Sequence, residues 1–343
     1  MDIQQAVEVL VAGKDLRADE AQTVMNQIMT GEASDAQIGG YLTALRIKGE
    51  TRDEIVGSAR AMRENATQVP TGLDGAELLD TCGTGGDGSG TFNISTTVAF
   101  VAAGAGVKVA KHGNRAASSL SGSADVLAAL GVNLDLSAEQ VGHCVNEVGI
   151  GFLFAIQLHP AMRHAIGPRR ELKLRTIFNI LGPLTNPAGA RRQLMGVFAP
   201  ELTETLAEVL GALGAVSAMV VNGAGGLDEL TTTGPSQVSH WLDGAVTTCN
   251  LDARDFGLQR AQLAQLKGGD SARNAAILRS VLDGSEGGPK RDIVLLNGGA
   301  ALLAAGSVTD VGQGIELARE TIDNGAALGK LEALIVTSQA FAA

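Results

Sequence analysis

After Leu78 and Leu79 the chain runs D-T-C-G-T-G-G-D-G-S-G-T-F-N-I-S, from Asp80 to Ser95. Gly83, Gly85, Gly86, Gly88 and Gly90 fall within this stretch. Each glycine loses much backbone freedom on folding and offers no side chain to pack, so a packed element here is excluded. The two leucines before it read as a strand end, and the apolar, small-residue run 96–105 after it reads as a helix. Strand, glycine loop and helix in that order leave backbone N–H groups and a helix N-terminus facing one place. That is a site for a phosphate or a diphosphate. A loop that was merely flexible would have no use for Asp87, Asn93 and Ser95 in a fixed frame beside the glycines.

Gly83, Gly85 and Gly88 also satisfy G-x-G-x-x-G. A dinucleotide fold then requires an acidic residue at the end of the next strand, to take the ribose. That strand instead ends in Lys111-His112-Gly113-Asn114-Arg115, a cluster suited to phosphate. No G-x-x-x-x-G-K-[ST] is present, which argues against a P-loop NTPase. In the basic loop 111–123, Lys111 and Arg115 supply charge, Ser118 and Ser119 supply neutral donors, and Gly113 allows close approach.

Two further stretches carry chemistry. His159-Pro160-Ala161-Met162 leads to Arg169 and Arg170, then to Arg175-Thr176-Ile177-Phe178-Asn179 and the turns Gly182-Pro183 and Asn186-Pro187. An arginine here is suited to receive a carboxylate through two parallel hydrogen bonds. Gly225-Gly226-Leu227-Asp228-Glu229 places adjacent carboxylates after a strand. They suit Mg²⁺, a hard cation that takes oxygen ligands, and they equally suit the first turn of a helix.

The 343 residues exceed one ordinary small domain. Apolar residues make up 45% but aromatics only 3%, so the core is built from Ala, Val, Leu and Ile. A net charge of −11 opposes nucleic acid and anionic membrane as partners. Cys82, Cys144 and Cys249 are scattered, without C-x-x-C, which fits a reducing compartment and no zinc site. The first residues show no basic and apolar leader, so a cytoplasmic protein is expected.

Residues 1–70 read as helices only. Ser34-x-x-Gln37 and Thr51-x-x-Glu54 are capping boxes, and Gly31 and Gly49 sit at helix stops. From Glu77 onward, short strands alternate with helices, including helices over 139–148 and 159–166 and strands over 107–111, 149–155, 193–198 and 218–222. The expectation is a small all-helical N-terminal domain, joined by helices within about 139–190, and a larger α/β domain over 74–343. A mostly parallel central sheet flanked by helices builds the latter. The helical segment is expected to pack, or to form a dimer surface if its apolar face lacks a partner.

Six motifs, in order, resemble the anthranilate phosphoribosyltransferase family of the tryptophan pathway, within the nucleoside-phosphorylase-like superfamily. They are G-T-G-G-D (83–87), N-I-S-T (93–96), K-H-G-N-R-x-x-S-S (111–119), H-P-A-M (159–162), R-T-x-F-N-x-L-G-P-L-x-N-P (175–187) and G-L-D-E (226–229). The resemblance implies transfer of a phosphoribosyl group from phosphoribosyl pyrophosphate to anthranilate, with Mg²⁺, in a homodimer. By position, it assigns Gly83, Gly86, Asp87, Thr91, Asn93, Ile94, Ser95 and Thr96 to the diphosphate and ribose. Lys111, His112, Gly113, Asn114, Arg115, Ala116, Ala117, Ser118 and Ser119 would hold the phosphoribosyl part, with Ser123 adding a contact. Ser95, Asp228 and Glu229 would ligate metal, two ions per active site, with Glu229 shared between them. Gly83, Asn114 and Arg169 would face anthranilate, Arg169 at its carboxylate. No general acid or base is assigned. Asn222 stands where the family often has His, and Gly167-Pro168 where it often has Pro-Val. A pyrimidine-nucleoside phosphorylase of the same fold would need no carboxylate pair for Mg²⁺, and a nucleic-acid-binding relative would want a basic face.

Overall fold

The structure, a computed structural model, describes residues 1–116 and 120–342. Ala117, Ser118 and Ser119 therefore lie outside the described residues.

Four helices come first: α1 (Ile3–Val11), α2 (Ala18–Thr30), α3 (Asp35–Lys48) and α4 (Arg52–Glu64). Their ends are set locally. Ser34 and Thr51 accept the backbone N–H of Gln37 and Glu54, and those side chains return the bond, as the capping-box spacing predicts. Gly31 closes α2 in the left-handed conformation at φ +79°. Buried Glu54 then ties the domain together: it accepts the Leu16 N–H at 3.0 Å and the Lys48 ammonium at 3.0 Å.

The α/β part follows in order as β1 (Leu78–Asp80), α5 (Ile94–Gly104), β2 (Lys108–Gly113), α6 (Ser123–Ala129), α7 (Ala138–Glu147), β3 (Ile150–Phe154), α8 (Ala155–Leu158), α9 (Arg163–Leu172), α10 (Phe178–Leu181), β4 (Arg192–Gly196), α11 (Leu202–Ala212), β5 (Ser217–Gly223), β6 (Pro235–Leu242) and β7 (Ala245–Asp252). Helices α12 (Ser271–Leu282), α13 (Pro289–Ala304), α14 (Val311–Asp323) and α15 (Ala326–Gln339) complete the chain. The sheet order is β3-β2-β1-β4-β5-β6-β7. The first five strands run parallel, and β6 and β7 return antiparallel. Asp243 (φ +50°) and Gly244 (φ +84°) make the tight turn between those two, the backbone signature of a short hairpin.

One face of the sheet is covered by α5, α13 and α15, with α5 apolar all round because it is surrounded. The opposite face, from Met195, Val197, Ala218 and Val220, shares a single core with α11 and with the N-terminal helices. Helix α9 packs on α2 and α3, whereas α7 packs on β2, β3 and α15. Within the 139–190 stretch, then, α9 lies with the helical domain and α7 with the sheet. The expected helix over 159–166 is instead a short turn followed by α9, which continues through Gly167 and Pro168. The three chain segments that link the domains are laced together: Thr67 donates to the Leu158 carbonyl at 2.8 Å and Val69 to that of Pro187 at 2.9 Å. Among the described residues, no helix is long and apolar enough to cross a membrane.

Candidate active site

In this order β1 is flanked by β2 and β4, so the chain leaves β1 in one direction across the sheet and resumes at β4 in the other. Such a switch point opens a crevice at the carboxyl ends of the strands. The glycine loop leaves β1 there, the basic loop leaves β2, and the G-L-D-E turn leaves β5. Four of the sequence motifs thus meet at one edge because parallel strands end on the same side.

The G-L-D-E turn is not followed by a helix, so its carboxylates do not serve a helix N-terminus. Asp228 Oδ2 accepts the Gly85 N–H at 2.7 Å, and Glu229 Oε1 accepts the Ser95 N–H at 3.1 Å. The acidic pair is therefore bonded to both limbs of the glycine loop, 143 and 134 residues earlier in the chain. Both carboxyls are pushed up from the usual range. Burial is the main cause for each, followed by the charge of Asp87 for Asp228 and of Asp228 for Glu229. Lys111 is the cation that opposes this at Glu229.

Asp87 joins the group. One of its oxygens accepts the Ser89 N–H at 3.0 Å, and the other, Oδ2, is buried without a hydrogen-bond partner among the described residues. Oxygen donors crowded against like charge, with one acceptor left over, fit a hard divalent cation that keeps waters and ligand oxygens in its shell. Among the described residues, no three carboxylate, imidazole or thiol groups close into a ready-made cage.

Beneath the loop lies Asp80, fully buried. Its Oδ1 accepts the N–H of His112 at 3.1 Å and of Cys82 at 3.0 Å, and its Oδ2 accepts Asn186 Nδ2 at 2.7 Å. Burial pushes its carboxyl up to about 6, against the pull of Lys111. Lys111 is buried with Nζ 3.2 Å from Thr81 Oγ1, and Thr81 Oγ1 donates to the Ser95 carbonyl at 3.0 Å.

The basic loop is divided by strand alternation. His112 points to the other side from Lys111: its Nδ1 is 3.2 Å from the Gly182 carbonyl and its Nε2 is 3.2 Å from His159 Nε2. Burial holds both imidazoles neutral, lowering His112 to about 3 and His159 to about 4. The pair joins β2 to two of the domain-linking segments. Arg115 is paired with Asp125 at 3.0 Å, and Asp125 also accepts the Ala116 and Gly122 N–H groups. Asn114 remains exposed, its carbonyl held by Ser123 Oγ at 3.2 Å. Gly113 is closely covered: an added Cβ would lie 2.3 Å from Ser123 Oγ and 2.7 Å from the Phe152 ring, so those side chains would have to shift.

Asn93 sits at the start of α5, accepting Asn274 Nδ2 at 3.0 Å and donating to the Ser121 carbonyl at 3.4 Å. Ile94 and Thr96 are buried, Ser95 half-buried, and Thr91 bridges to Lys267. Arg169 lies over the Phe178 ring, 5.1 Å from its centroid, and its guanidinium has no hydrogen-bond partner among the described residues. Asn222, at the departure from the common family pattern, donates to the Val197 carbonyl at 2.6 Å and so holds the end of β4.

Gly196 and Lys267 carry no local signal in the sequence. Gly196, at the end of β4, lies so close to the G-L-D-E turn that a Cβ there would fall 1.6 Å from the Asp228 carbonyl oxygen. Gly83 is less tight: a Cβ there would lie 3.1 Å from Asp228 Oδ2. Arg175 crosses to the Gly86 carbonyl with its guanidinium 4.1 Å over the Phe198 ring. Lys267 donates to the Ser89 carbonyl. The Arg175 motif was visible in sequence, but its target was not.

Comparison with known proteins agrees with this layout. The glycosyl transferase family helical bundle domain matches residues 4–66, and the glycosyl transferase family a/b domain matches residues 75–328. The chain is 53% identical to the anthranilate phosphoribosyltransferase of Syntrophotalea carbinolica over 98% of this chain and 99% of that protein. It is 54% identical to that of Moorella thermoacetica, over 99% and 100%. Among solved structures, anthranilate phosphoribosyltransferase of Thermus thermophilus superposes with a TM-score of 0.93 at 47% identity, covering 97% of this chain and 99% of that one. The Saccharomyces cerevisiae enzyme in complex with PRPP and Mg superposes with a TM-score of 0.90 at 28% identity, covering 98% of each.

Proposed function

The chain belongs to the anthranilate phosphoribosyltransferase family, and from that premise we propose how its cleft carries out the transfer of a phosphoribosyl group from phosphoribosyl pyrophosphate to anthranilate. The glycine loop grips the diphosphate through Gly83, Gly86, Asp87 and Thr91 and through the α5 start at Asn93, Ile94, Ser95 and Thr96. The basic loop from Lys111 to Ser119, with Ser123, holds the phosphoribosyl part. Gly83, Asn114 and Arg169 border anthranilate. The observation that carries this reading is the pair of hydrogen bonds from Gly85 and Ser95 to Asp228 and Glu229, which joins loop and carboxylates into one site.

Asp228, Glu229 and Ser95 would hold Mg²⁺, two ions per site with Glu229 between them. Bound there, Mg²⁺ supplies positive charge to the diphosphate leaving group. The protein's own part is placement. Loop N–H groups meet the charge that develops on the leaving oxygens. Arg169, lying over the Phe178 ring, takes the anthranilate carboxylate and aims its amine at ribose C1. The amine is neutral near pH 7, so its lone pair forms the N–C1 bond as the C1–O bond breaks, and its surplus proton leaves afterwards to solvent. No side chain is required as a base in that sequence.

Loss of anthranilate fluorescence on adding phosphoribosyl pyrophosphate, with and without Mg²⁺, tests the reading. Signal loss that needs both donor and metal is expected, and phosphorolysis of thymidine in its place would overturn it. In the same assay, Arg169→Ala should raise the anthranilate KM by about 10²-fold, the scale of a lost charge-assisted bidentate contact, with little change for the donor. Equal effects on both substrates would remove Arg169 from the acceptor site.

The protein is placed in the cytoplasm, which fits three free cysteines, and is assigned as a homodimer. The dimer reading rests on an open apolar groove where α1, α3 and α9 meet, lined by Val7, Val11, Gly40, Thr43, Ile47 and Leu172. Val11 is 74% and Ile47 82% exposed there. A second copy of the same helical face would bury both. Sedimentation velocity should give twice the chain mass, and a single-chain mass at micromolar concentration would refute it.

A further inference from the structure

The glycine loop is fastened at both ends but barely in the middle. At its entry, Thr84 donates to the Gly196 carbonyl at 2.8 Å and Gly85 to Asp228. At its exit, Phe92 donates to the Leu266 carbonyl at 3.2 Å, and Gly268 donates to that of Gly90 at 3.0 Å. Between these, only two hydrogen bonds among the described residues tie the backbone of residues 86–89 to the protein outside the loop, and both come from cations. Arg175 donates to the Gly86 carbonyl and Lys267 to the Ser89 carbonyl, from 89 and 178 residues away.

A trans peptide unit is planar, with its C=O and N–H pointing in opposite directions. Among the described residues no peptide bond is cis. Holding the Gly86 carbonyl therefore fixes the direction of the Asp87 N–H, and holding the Ser89 carbonyl fixes that of the Gly90 N–H. Those are groups the protein leaves to a ligand: among the described residues, the N–H groups of Gly86, Asp87, Gly88 and Gly90 reach no protein acceptor. Gly86 and Gly90 themselves sit at φ +74° and +63°, so nothing intrinsic to an ordinary strand or turn would keep these planes in place. The Arg175 fork is stiffened by stacking on Phe198. Lys267 packs directly over Gly90, its Nζ 3.4 Å from where a Cβ would be.

We propose that Arg175 and Lys267 are positioning residues for the phosphoribosyl donor, clamping two peptide planes so that the Asp87 and Gly90 N–H groups face the diphosphate. The inference rests on the donor site described above and adds to it two residues to which the motifs assign no role. It specifies a device in which cations act on a phosphate through the backbone, with their charge spent on carbonyls.

Both side chains are exposed, so Arg175→Gln and Lys267→Met should fold normally. Each should raise the donor KM, and the inhibition constant of inorganic pyrophosphate in parallel, by about tenfold, the scale of one charge-assisted hydrogen bond. The anthranilate KM and the kcat at saturating donor should stay within about twofold of wild type. The double variant should show roughly the product of the two effects, because the clamped planes are separate, and Arg175→Lys should recover part of the loss. A donor KM within twofold of wild type in both single variants would overturn the proposal, as would a fall in kcat without any change in donor KM, or equal rises for both substrates. Asp228→Asn, measured alongside, separates the two levels. If it weakens donor and the clamp variants do not, the site stands and the clamp falls. If none of the three weakens donor, the site reading itself falls.

Discussion

Replacing Asp228 by Asn and Glu229 by Gln together is expected to lower kcat/KM by about 10³-fold or more, the scale on which preorganised charge in a cleft contributes to catalysis. The substitutions keep shape, and an amide oxygen can still accept the Gly85 and Ser95 N–H groups, so the fold should survive. What is lost is charge. Asp87, Asp228 and Glu229 stand close enough for each to raise a neighbour's carboxyl, with Lys111 as the opposing cation at Glu229. Neutralising two of them removes that mutual repulsion, so the variant should be no less stable than wild type in urea unfolding. It should at the same time need far more Mg²⁺ for half-maximal rate. A double variant with wild-type rate and wild-type Mg²⁺ dependence would sink the metal assignment.

The second large effect is expected at a residue that makes no polar contact of its own through a side chain. Gly196→Ala would bring a methyl group to 1.6 Å from the Asp228 carbonyl oxygen and 2.3 Å from its carbon. Ordinary contact is about 3.4 Å or more, so the G-L-D-E turn must move by well over 1 Å. Both neighbouring contacts would then open: Thr84 to Gly196, at 2.8 Å, and Gly85 to Asp228, at 2.7 Å. Overpacking of this kind costs about 1–3 kcal/mol of stability. The misplacement of catalytic groups should lower kcat/KM by about 10²-fold. Urea unfolding together with steady-state kinetics checks both, and a variant within threefold of wild-type activity would show that the close approach does not position the carboxylates.

Much of the local structure was legible in the chain. Ser34 and Thr51 cap the helices that their spacing announces, since a capping box is a contact between residues three apart. The glycine loop lies between a strand and a helix as its composition demands. For other residues the sequence showed the type, and the structure adds the neighbours. Arg115, proposed as a phosphoribosyl contact, is also paired with Asp125, ten residues on. The ring of His112 faces His159, on the other side from Lys111, because strand neighbours alternate sides. The helix after His159 runs further than expected, since α9 tolerates Pro168 within it.

The sequence by itself determined the units: the capped helices, the glycine loop with its donors, the adjacent carboxylates and the basic strand end. Those follow from short-range rules of backbone conformation and hydrogen bonding, which act over a few residues. Tertiary structure alone decided how the units meet. The sheet order set β4 between β1 and β5, and so made Gly196 a steric neighbour of Asp228 in the turn that leaves β5. It also brought Arg175 and Lys267 onto one loop from 89 and 178 residues away. No periodicity encodes such contacts, because they depend on which strands pair across the whole domain, and that choice is made by the burial of both sheet faces together.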